Sequence, residues 1–477
     1  MALVSFPKSS KPHIVVFPFM SKGHTIPLLH LSSLLLRRGA AITIFTTAKN
    51  RPFISQSLSD TDVTLIDLPF PDNIAGIQPG TESTDKLQSM SLFFPFANGT
   101  KLMQPFFEEQ LQKIHSQVTC IISDGFLCWT LQSASKFGIP RLSFYGMSNY
   151  AQAINRDIFD NGLQLLHESP DEPFALKNFP WIKLTRNDFD DPFDKLDPRG
   201  PHLDFIIECV TATTNSYGLI VNSFYELEPL YADYWTKYCQ PKAWNVGPLC
   251  LAQPAKIELP TSHKPKWIEW LDRKLVEGCP VIYIAFGSQV KMSPTQLHEI
   301  ALGLEESKVS FLWVVRERET ELIDGFEKRV EGRGIVVKEW VDQREILEHE
   351  IVQGFLSHCG WNSVLEAICA EVPILAWPMM AEQFINARMV VEEIKIGLRV
   401  NTVDGSVKGF VKGESLKSTV MELIGGEKAK ELKGKVMEVA EDARKAVGDG
   451  GSSWVALNQL IDEIHKQKKI NGSKLDS

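Results

Sequence analysis

The 477-residue chain has no apolar run long enough to cross a bilayer, which argues against a transmembrane helix. Its first apolar run, from His13 to Met20, is short and is interrupted by Pro18. There is no excess of positive charge either, because 50 basic residues stand against 59 acidic ones and the formal net charge is −9. That balance argues against nucleic acid or an anionic membrane as a partner. We therefore expect a cytoplasmic protein.

Several cysteine and glycine motifs are missing as well. The eight cysteines include no C-x-x-C pair and no Cys/His spacing typical of zinc, so we expect buried thiols and no bound metal. The cluster of His358 and Cys359 near Cys369 is better explained by an anion site. No G-x-G-x-x-G turn follows a first strand, which counts against a dinucleotide oxidoreductase. No G-x-S-x-G elbow is present to supply the nucleophile of a serine hydrolase.

What the chain does contain is the composition of an ordinary globular protein, with 44% apolar and 23% charged residues. Its pattern alternates strands and helices. A β-type run at His13–Pro18 is followed by a helix that Pro27 opens and by a second strand at Ala41–Thr46. A similar alternation begins again at Val281–Phe286. The pattern predicts an α/β fold with two Rossmann-like, doubly wound domains.

The length of the chain also favours two domains, because one core seldom holds this many residues. Pro254, Pro260 and Pro265 lie among polar residues, which is typical of a linker. We predict a first domain at 1–250, a linker at 251–265, a second domain at 266–451, and a C-terminal helix with its tail at 452–477.

The most informative stretch of the sequence runs from Trp340 to Gln383. Ile351–Leu356 reads as a buried parallel strand, Gly360 marks a turn, and Trp361–Ala370 has helical spacing. Polar residues therefore cluster where a strand ends and a helix begins: His358, Asn362 and Ser363. The free N–H groups and the dipole of a helix start attract anions, most often phosphate.

The same stretch holds groups that suit the other parts of a nucleotide-sugar. Glu366 lies three residues after Ser363, so its carboxylate and the serine hydroxyl share one face of the helix. A carboxylate suits a pair of adjacent sugar hydroxyls, as on a ribose. Trp340 offers a flat surface for a base, and Glu382 with Gln383 forms a further polar pair. Each residue alone has a simpler explanation as a core residue, a helix cap or a solvated charge. Only their combination indicates nucleotide-sugar binding.

Two further polar residues lie near the carboxyl ends of strands in the first half, where ligands bind in such sheets. His24 follows the first strand and is equally consistent with a catalytic base and with a helix-start residue bonded to the backbone. Asp124 follows the run Val118–Ile122, and alone it is better explained as a cap for the next helix.

The segment Trp340–Gln383 resembles the C-terminal signature box of the plant UDP-dependent glycosyltransferases (family 1, GT-B fold). The similarity also covers Phe286-Gly287-Ser288 and the Gly23-His24 turn, and it extends from end to end of the chain. Glu382 stands where many members carry Asp, and Glu371 where the pattern usually has Gly. The matching skeleton of the box is Trp340, Gln343, His358, Gly360, Trp361, Asn362, Ser363, Glu366, Pro373, Trp377, Pro378 and Gln383.

The resemblance implies two Rossmann-like domains that face each other across a cleft, with the C-terminal helix crossing back to the first. It implies that uracil stacks on Trp340 and meets the main chain of Val341. The remaining donor contacts that it implies are Gln343 and Glu366 for the ribose, Ser288, His358, Asn362 and Ser363 for the diphosphate, and Trp361, Glu382 and Gln383 for the sugar.

For catalysis, the resemblance implies that His24 is the general base and that Asp124 orients it. A neutral imidazole can take a proton from a hydroxyl near pH 7, and a carboxylate on its other nitrogen stabilises the imidazolium that forms. Gln383 goes with glucose donors in this family. The aromatic stretches of the first half are either core or the wall of an apolar acceptor pocket, for which Phe19, Phe94 and Phe126 are the candidates.

The leading hypothesis is an inverting glucosyltransferase that uses UDP-glucose as co-substrate, needs no other cofactor and acts as a monomer. Its acceptor would be a hydroxyl of a small, largely apolar molecule, such as a flavonoid or another phenolic. Another UDP-sugar, or a non-phenolic acceptor such as a terpenoid or hormone, is the alternative within the same fold. A non-catalytic nucleotide-sugar-binding protein and a serine hydrolase built on His24 and Asp124 are the other classes considered.

Overall fold

The computed structural model describes residues 11–162, 169–252, 264–315 and 325–475. The contacts divide the chain into two compact units, each made of separate stretches of sequence. The first unit comprises 1–149, 199–254 and 445–477, and the second comprises 150–198 and 255–444. Most of the predicted linker, residues 253–263, lies outside the described residues.

The first unit is built on a seven-stranded parallel sheet with the strand order β3-β2-β1-β4-β5-β8-β9. The order 3-2-1-4-5 is that of a Rossmann fold. The strands are β1 His13–Phe17, β2 Ala41–Thr47, β3 Val63–Leu68, β4 Val118–Asp124, β5 Arg141–Tyr145, β8 Gly218–Val221 and β9 Ala243–Asn245.

The central strands of this sheet form because their residues are apolar on both faces. Ile14, Val15 and Val16 of β1 are all buried, as expected for a strand covered by helices on both sides. Phe17 pairs with Ser123, so β1 and β4 end at the same edge of the sheet. This register brings together the residues that follow the two strands, although about 100 positions separate them in the chain.

The helices of the first unit surround this sheet. The C-terminal helix α17, Ser452–Leu475, packs its apolar face, including Leu460 and Ile461, into the same core as Ile14. The C-terminal helix therefore belongs to the N-terminal unit. The helices are α1 Lys22–Arg37, α2 Arg51–Ser57, α3 Phe93–Gly99, α4 Gln104–Ile114, α5 Thr130–Lys136, α7 Pro201–Thr214, α8 Pro229–Tyr238 and α17 Ser452–Leu475.

The start of α1 differs from the prediction. The sequence pattern opens the helix at Pro27, whereas the helix begins at Lys22 after Ser21 in an extended conformation (φ −141°, ψ 133°). Pro27 lies inside the helix, where its missing N–H removes the bond to the carbonyl of Gly23, and a helix with a large buried face tolerates this loss. As a result His24 lies in the first helical turn and not in a loop before it.

The second unit contains a six-stranded parallel sheet with the order β12-β11-β10-β13-β14-β15. Counted from β10, this repeats the order of the first sheet, so β13 occupies the place of β4. The strands are β10 Val281–Ala285, β11 Ser310–Val314, β12 Gly334–Val337, β13 Val352–Ser357, β14 Ile374–Ala376 and β15 Gly397–Arg399, with a small antiparallel pair β6 Phe174–Ala175 and β7 Lys183–Leu184.

The remaining helices accompany this second sheet. They are α6 Asn149–Asp157, α9 Lys266–Glu277, α10 Pro294–Ser307, α11 Phe326–Arg329, α12 Gln343–Leu347, α13 Trp361–Cys369, α14 Gln383–Arg388, α15 Gly413–Gly425 and α16 Ala429–Val447. The predicted α/β class with two Rossmann-like sheets is confirmed. Among the described residues, no helix has both the length and the apolar character needed to cross a membrane.

Candidate functional site

In the first unit, His24 and Asp124 form a hydrogen-bonded pair. Asp124 is the last residue of β4 and its side chain is fully buried, whereas His24 at the start of α1 keeps 25% of its side chain exposed. The distance from His24 Nδ1 to Asp124 Oδ2 is 2.8 Å. The other carboxylate oxygen accepts from the backbone N–H of Phe126 at 2.9 Å. With Nδ1–H donating to a carboxylate, Nε2 of the imidazole is in the acceptor form.

A buried arginine lies behind this pair, and sequence reasoning did not select it. Arg141 opens β5, and its guanidinium donates to Ser123 Oγ at 2.7 Å, to Ser216 Oγ at 2.8 Å and to the backbone carbonyl of Asp124 at 3.1 Å. Burial lowers the pKa of Arg141, yet an arginine remains a cation under ordinary conditions. Its guanidinium thus fixes the backbone at Asp124. The signal in the sequence was an arginine at the start of an apolar strand.

Aromatic rings surround His24. The ring centroids of Phe19 and Phe126 lie 5.4 Å and 5.2 Å from that of His24. Phe93, which the sequence analysis did not select, contacts both of them at 5.9 Å and 5.6 Å. Phe94 contacts Phe93 at 5.5 Å, one layer further from the imidazole. The imidazole therefore lies in an apolar, aromatic environment in which Phe19 is fully buried.

In the second unit, His358 follows β13 and lies between two glycines. A Cβ atom at Gly287 would come within 2.8 Å of His358 Nε2, and one at Gly360 within 2.7 Å. Gly287 also has a positive φ of 76°, so glycine is required there both for space and for conformation. Burial lowers the pKa of His358 to about 4, against a smaller effect of a backbone hydrogen bond at Ala285. This imidazole is therefore neutral at pH 7.

The turn after His358 is held in one conformation and leads into α13. Cys359 has a positive φ of 62°, its N–H donates to Ser357 Oγ at 3.1 Å, and its carbonyl accepts from Asn386 Nδ2 at 3.1 Å. The N-cap residue is Gly360, which has no side chain to accept the first N–H groups of the helix. Such a helix start suits an anion.

Three of the predicted donor residues are linked by a glutamine amide. Gln343 Nε2 donates to Ser363 Oγ at 2.8 Å and to Glu366 Oε2 at 2.7 Å. Burial raises the pKa of Glu366 to about 7, and the hydrogen bond from Gln343 opposes this shift. The site therefore contains a carboxyl group that titrates close to neutral pH.

The tryptophans of the box differ in exposure. Trp340 is 60% exposed, which is unusual for an indole, whereas Val341 beside it is buried. Trp361, the first residue of α13, is only 2% exposed, so its indole is buried. Ser288 follows β10 and is exposed.

The polar pair at the end of the box begins α14. Gln383 is buried, and its Oε1 accepts from the backbone N–H groups of Met379 and Met380, each at 3.1 Å. Ala381, which lies between Met380 and Glu382, has a positive φ of 54°. The conformation of this turn is therefore fixed partly by Gln383 itself, and Glu382 is half-buried at its end.

The chain was compared with known proteins. The profile of the family described as UDP-glucoronosyl and UDP-glucosyl transferase matches residues 274–468. UDP-glycosyltransferase 90A1 of Arabidopsis thaliana is 51% identical over 97% of this chain and 98% of its own length. UDP-glucose flavonoid 3-O-glucosyltransferase 7 of Fragaria ananassa is 36% identical over 95% of this chain and 96% of its own length.

A solved structure gives the same result for the fold. The crystal structure of UGT73P12 of Glycyrrhiza uralensis, complexed with glycyrrhetinic acid 3-O-monoglucuronide, matches with a TM-score of 0.85 and 29% identity. The match covers 98% of this chain and 98% of the other. Sequence and fold similarity thus extend over essentially the whole chain.

Proposed function

Because the chain belongs to the plant family of UDP-dependent glycosyltransferases, we propose that it is an inverting enzyme that transfers glucose from UDP-glucose. The acceptor is a hydroxyl of a small, largely apolar molecule, such as a flavonoid or another phenolic. Transfer of a glycosyl group from a UDP-sugar is the activity of the family, and the UDP-sugar is its co-substrate. The observation that carries the proposal is the 2.8 Å bond between His24 and Asp124 among aromatic rings.

In the proposed reaction, the acceptor hydroxyl gives its proton to Nε2 of His24 while its oxygen attacks the anomeric carbon. The attack comes from the face opposite UDP, so the new C–O bond forms as the bond to the diphosphate oxygen breaks and the configuration inverts. UDP leaves with the electron pair of that bond. Asp124 stabilises the imidazolium through Nδ1–H and keeps the ring oriented.

The donor is bound by the second unit in this proposal. Uracil stacks on the exposed face of Trp340 and meets the main chain of Val341. The start of α13 and the neutral His358 stabilise the diphosphate, so a field of basic residues is unnecessary. The other proposed donor contacts are Ser288, Asn362 and Ser363 for the diphosphate, Gln343 and Glu366 for the ribose, and Trp361, Glu382 and Gln383 for glucose.

Two observations support an aromatic acceptor and a glucose donor. Phe19 and Phe126 flank the proposed base, and such rings favour flat apolar molecules through stacking and edge contacts. The Fragaria relative is named for UDP-glucose and for a flavonoid. Phe94 completes the proposed acceptor wall. A monomeric state and a cytoplasmic location stay predictions.

The test is a comparison of His24→Ala with the wild type, using UDP-glucose and a panel of phenolic acceptors read by mass. We expect a loss of at least about 10³-fold in kcat/KM, with UDP affinity within about two-fold, because a general base contributes to the chemical step. His13→Gln is the matched control, since His13 begins β1, the strand that precedes His24, and bonds to Thr43. Turnover retained in His24→Ala would refute the base, and a wild type that binds UDP-glucose without turnover would refute the enzyme.

A further inference from the structure

Within the second unit, the segment 185–190 is bound to α14 and its preceding turn by two acidic side chains. Asp188 is fully buried and receives Arg388 in a bidentate pair, at 2.7 Å from Nε and 2.9 Å from Nη2. Its Oδ2 also accepts from the backbone N–H of Thr185 at 2.7 Å. The segment is therefore anchored to α14, about 200 residues away in sequence.

The second acidic residue reaches the turn that precedes α14. Asp190 Oδ2 accepts a hydrogen bond from the backbone N–H of Ala381. Asp190 Oδ1 lies 3.1 Å from Lys408 Nζ, and the same ammonium donates to the carbonyl of Phe189. The carboxylate is thus oriented by a cation on one side and bound to the turn on the other.

Ala381, whose N–H donates to Asp190, has a strained backbone conformation. Ala381 has a φ of 54°, a left-handed conformation in which its Cβ atom crowds the following carbonyl oxygen. The hydrogen bond from its N–H to the charged carboxylate of Asp190 is stronger than one to a neutral group and helps to offset that strain. Immediately after Ala381 come Glu382 and Gln383, the residues proposed above to contact glucose.

We propose that Asp190 is a positioning residue for the sugar end of the donor. By holding Ala381 in its left-handed conformation, it sets the direction in which Glu382 and Gln383 face the hexose. This inference rests on the proposed donor site. The proposed contacts to uracil, ribose and diphosphate come from Ser288 and from residues 340–366 and do not involve this turn.

The experiment measures the KM of UDP-glucose, the Kd of UDP, and the preference for UDP-glucose over UDP-galactose, its epimer at C4. For Asp190→Ala we expect a KM raised about ten-fold, a UDP Kd within two-fold of wild type, and a preference reduced several-fold. Asp190→Asn keeps an acceptor oxygen for Ala381 and should recover most of the KM. Lys408→Met keeps the hydrogen bond to Ala381 and should show a smaller effect than Asp190→Ala.

Glu392→Gln is the control, because Glu392 is an exposed carboxylate that also pairs with Arg388 but does not touch the turn. It should leave all three quantities unchanged. The inference is overturned if Asp190→Ala matches wild type, or if its UDP Kd weakens as much as its UDP-glucose KM rises. Should Asp190→Ala fail to fold, Lys408→Met decides: a raised KM for UDP-glucose with an unchanged UDP Kd supports the inference, and wild-type values for both overturn it. A wild type with no transfer from UDP-glucose and no UDP binding would instead refute the proposed function.

Discussion

The two units place a histidine and a carboxyl group at equivalent edges of their sheets but combine them differently. In the first unit, His24 and Asp124 are bonded to each other at 2.8 Å. In the second, His358 lies between two glycines, and the carboxyl group of Glu366 is bonded to the amide of Gln343. The imidazole and the carboxyl group are thus paired in one unit and separated in the other.

This difference determines the charge states available to each site. Burial disfavours the charged form of a group, so it lowers the pKa of His358 to about 4 and raises that of Glu366 to about 7. A carboxylate that faces an imidazole instead stabilises the protonated ring. In the proposed function, the paired histidine therefore accepts a proton during the reaction, whereas the separated one acts as a neutral hydrogen-bonding group.

The largest expected effect comes from breaking the pair in the first unit. Asp124→Asn leaves His24 with a neutral partner, as His358 has, and an amide can also hold the imidazole in the wrong tautomer. We expect kcat to fall about 10³-fold with the UDP Kd unchanged, since orientation and imidazolium stabilisation are both lost. Steady-state kinetics with UDP titration measures this. A loss below about five-fold would show that Asp124 is merely structural.

The next effect concerns the separated carboxyl group and is a change in stability. The folded-state pKa of Glu366, about 7, is above its usual value. The stability that its protonated carboxyl group contributes is therefore fully present below the unfolded-state pKa and is lost as the pH rises through about 7. Relative to Glu366→Gln, the ligand-free wild type should lose up to about 3 kcal/mol between pH 5 and pH 8. Thermal unfolding across that range measures the difference. Parallel pH profiles for the two proteins would contradict the shift.

The sheets and most strands could be predicted from the sequence because their signals are local. β1, β4 and β13 are apolar runs that end close to the predicted positions, and the box from Trp340 onward carries its motif in one continuous stretch. The predicted start of α1 was wrong because Pro27 is a local signal for a helix start. Whether a helix tolerates a proline in its interior depends on the packing of its buried face, which is not a local property.

Features that depend on long-range contacts could not be predicted in this way. The grouping of residues 150–198 with the second unit rests on pairs such as Asp188 with Arg388. The sequence around either residue does not predict which residue it pairs with. The same holds for Arg141, whose role depends on Ser216 and on the backbone of Asp124. The link between His24 and Asp124 came from family resemblance, since His24 alone is equally consistent with a helix-start residue and Asp124 alone is better explained as a helix cap.

The smallest effect tests the separated histidine. His358→Ala removes one neutral donor from the proposed diphosphate site, and a hydrogen bond to a charged group contributes about 1.5–3 kcal/mol, so UDP should bind about ten- to a hundred-fold more weakly. His298→Ala on the exposed face of α10 is the control.

Because the pKa of His358 is about 4, the ratio of variant to wild-type Kd should stay constant from pH 6 to pH 8. Calorimetric titration with UDP measures it. A ratio that rises steeply toward pH 6 would mean that the imidazole binds as a cation, and the contrast between the two units would then be lost.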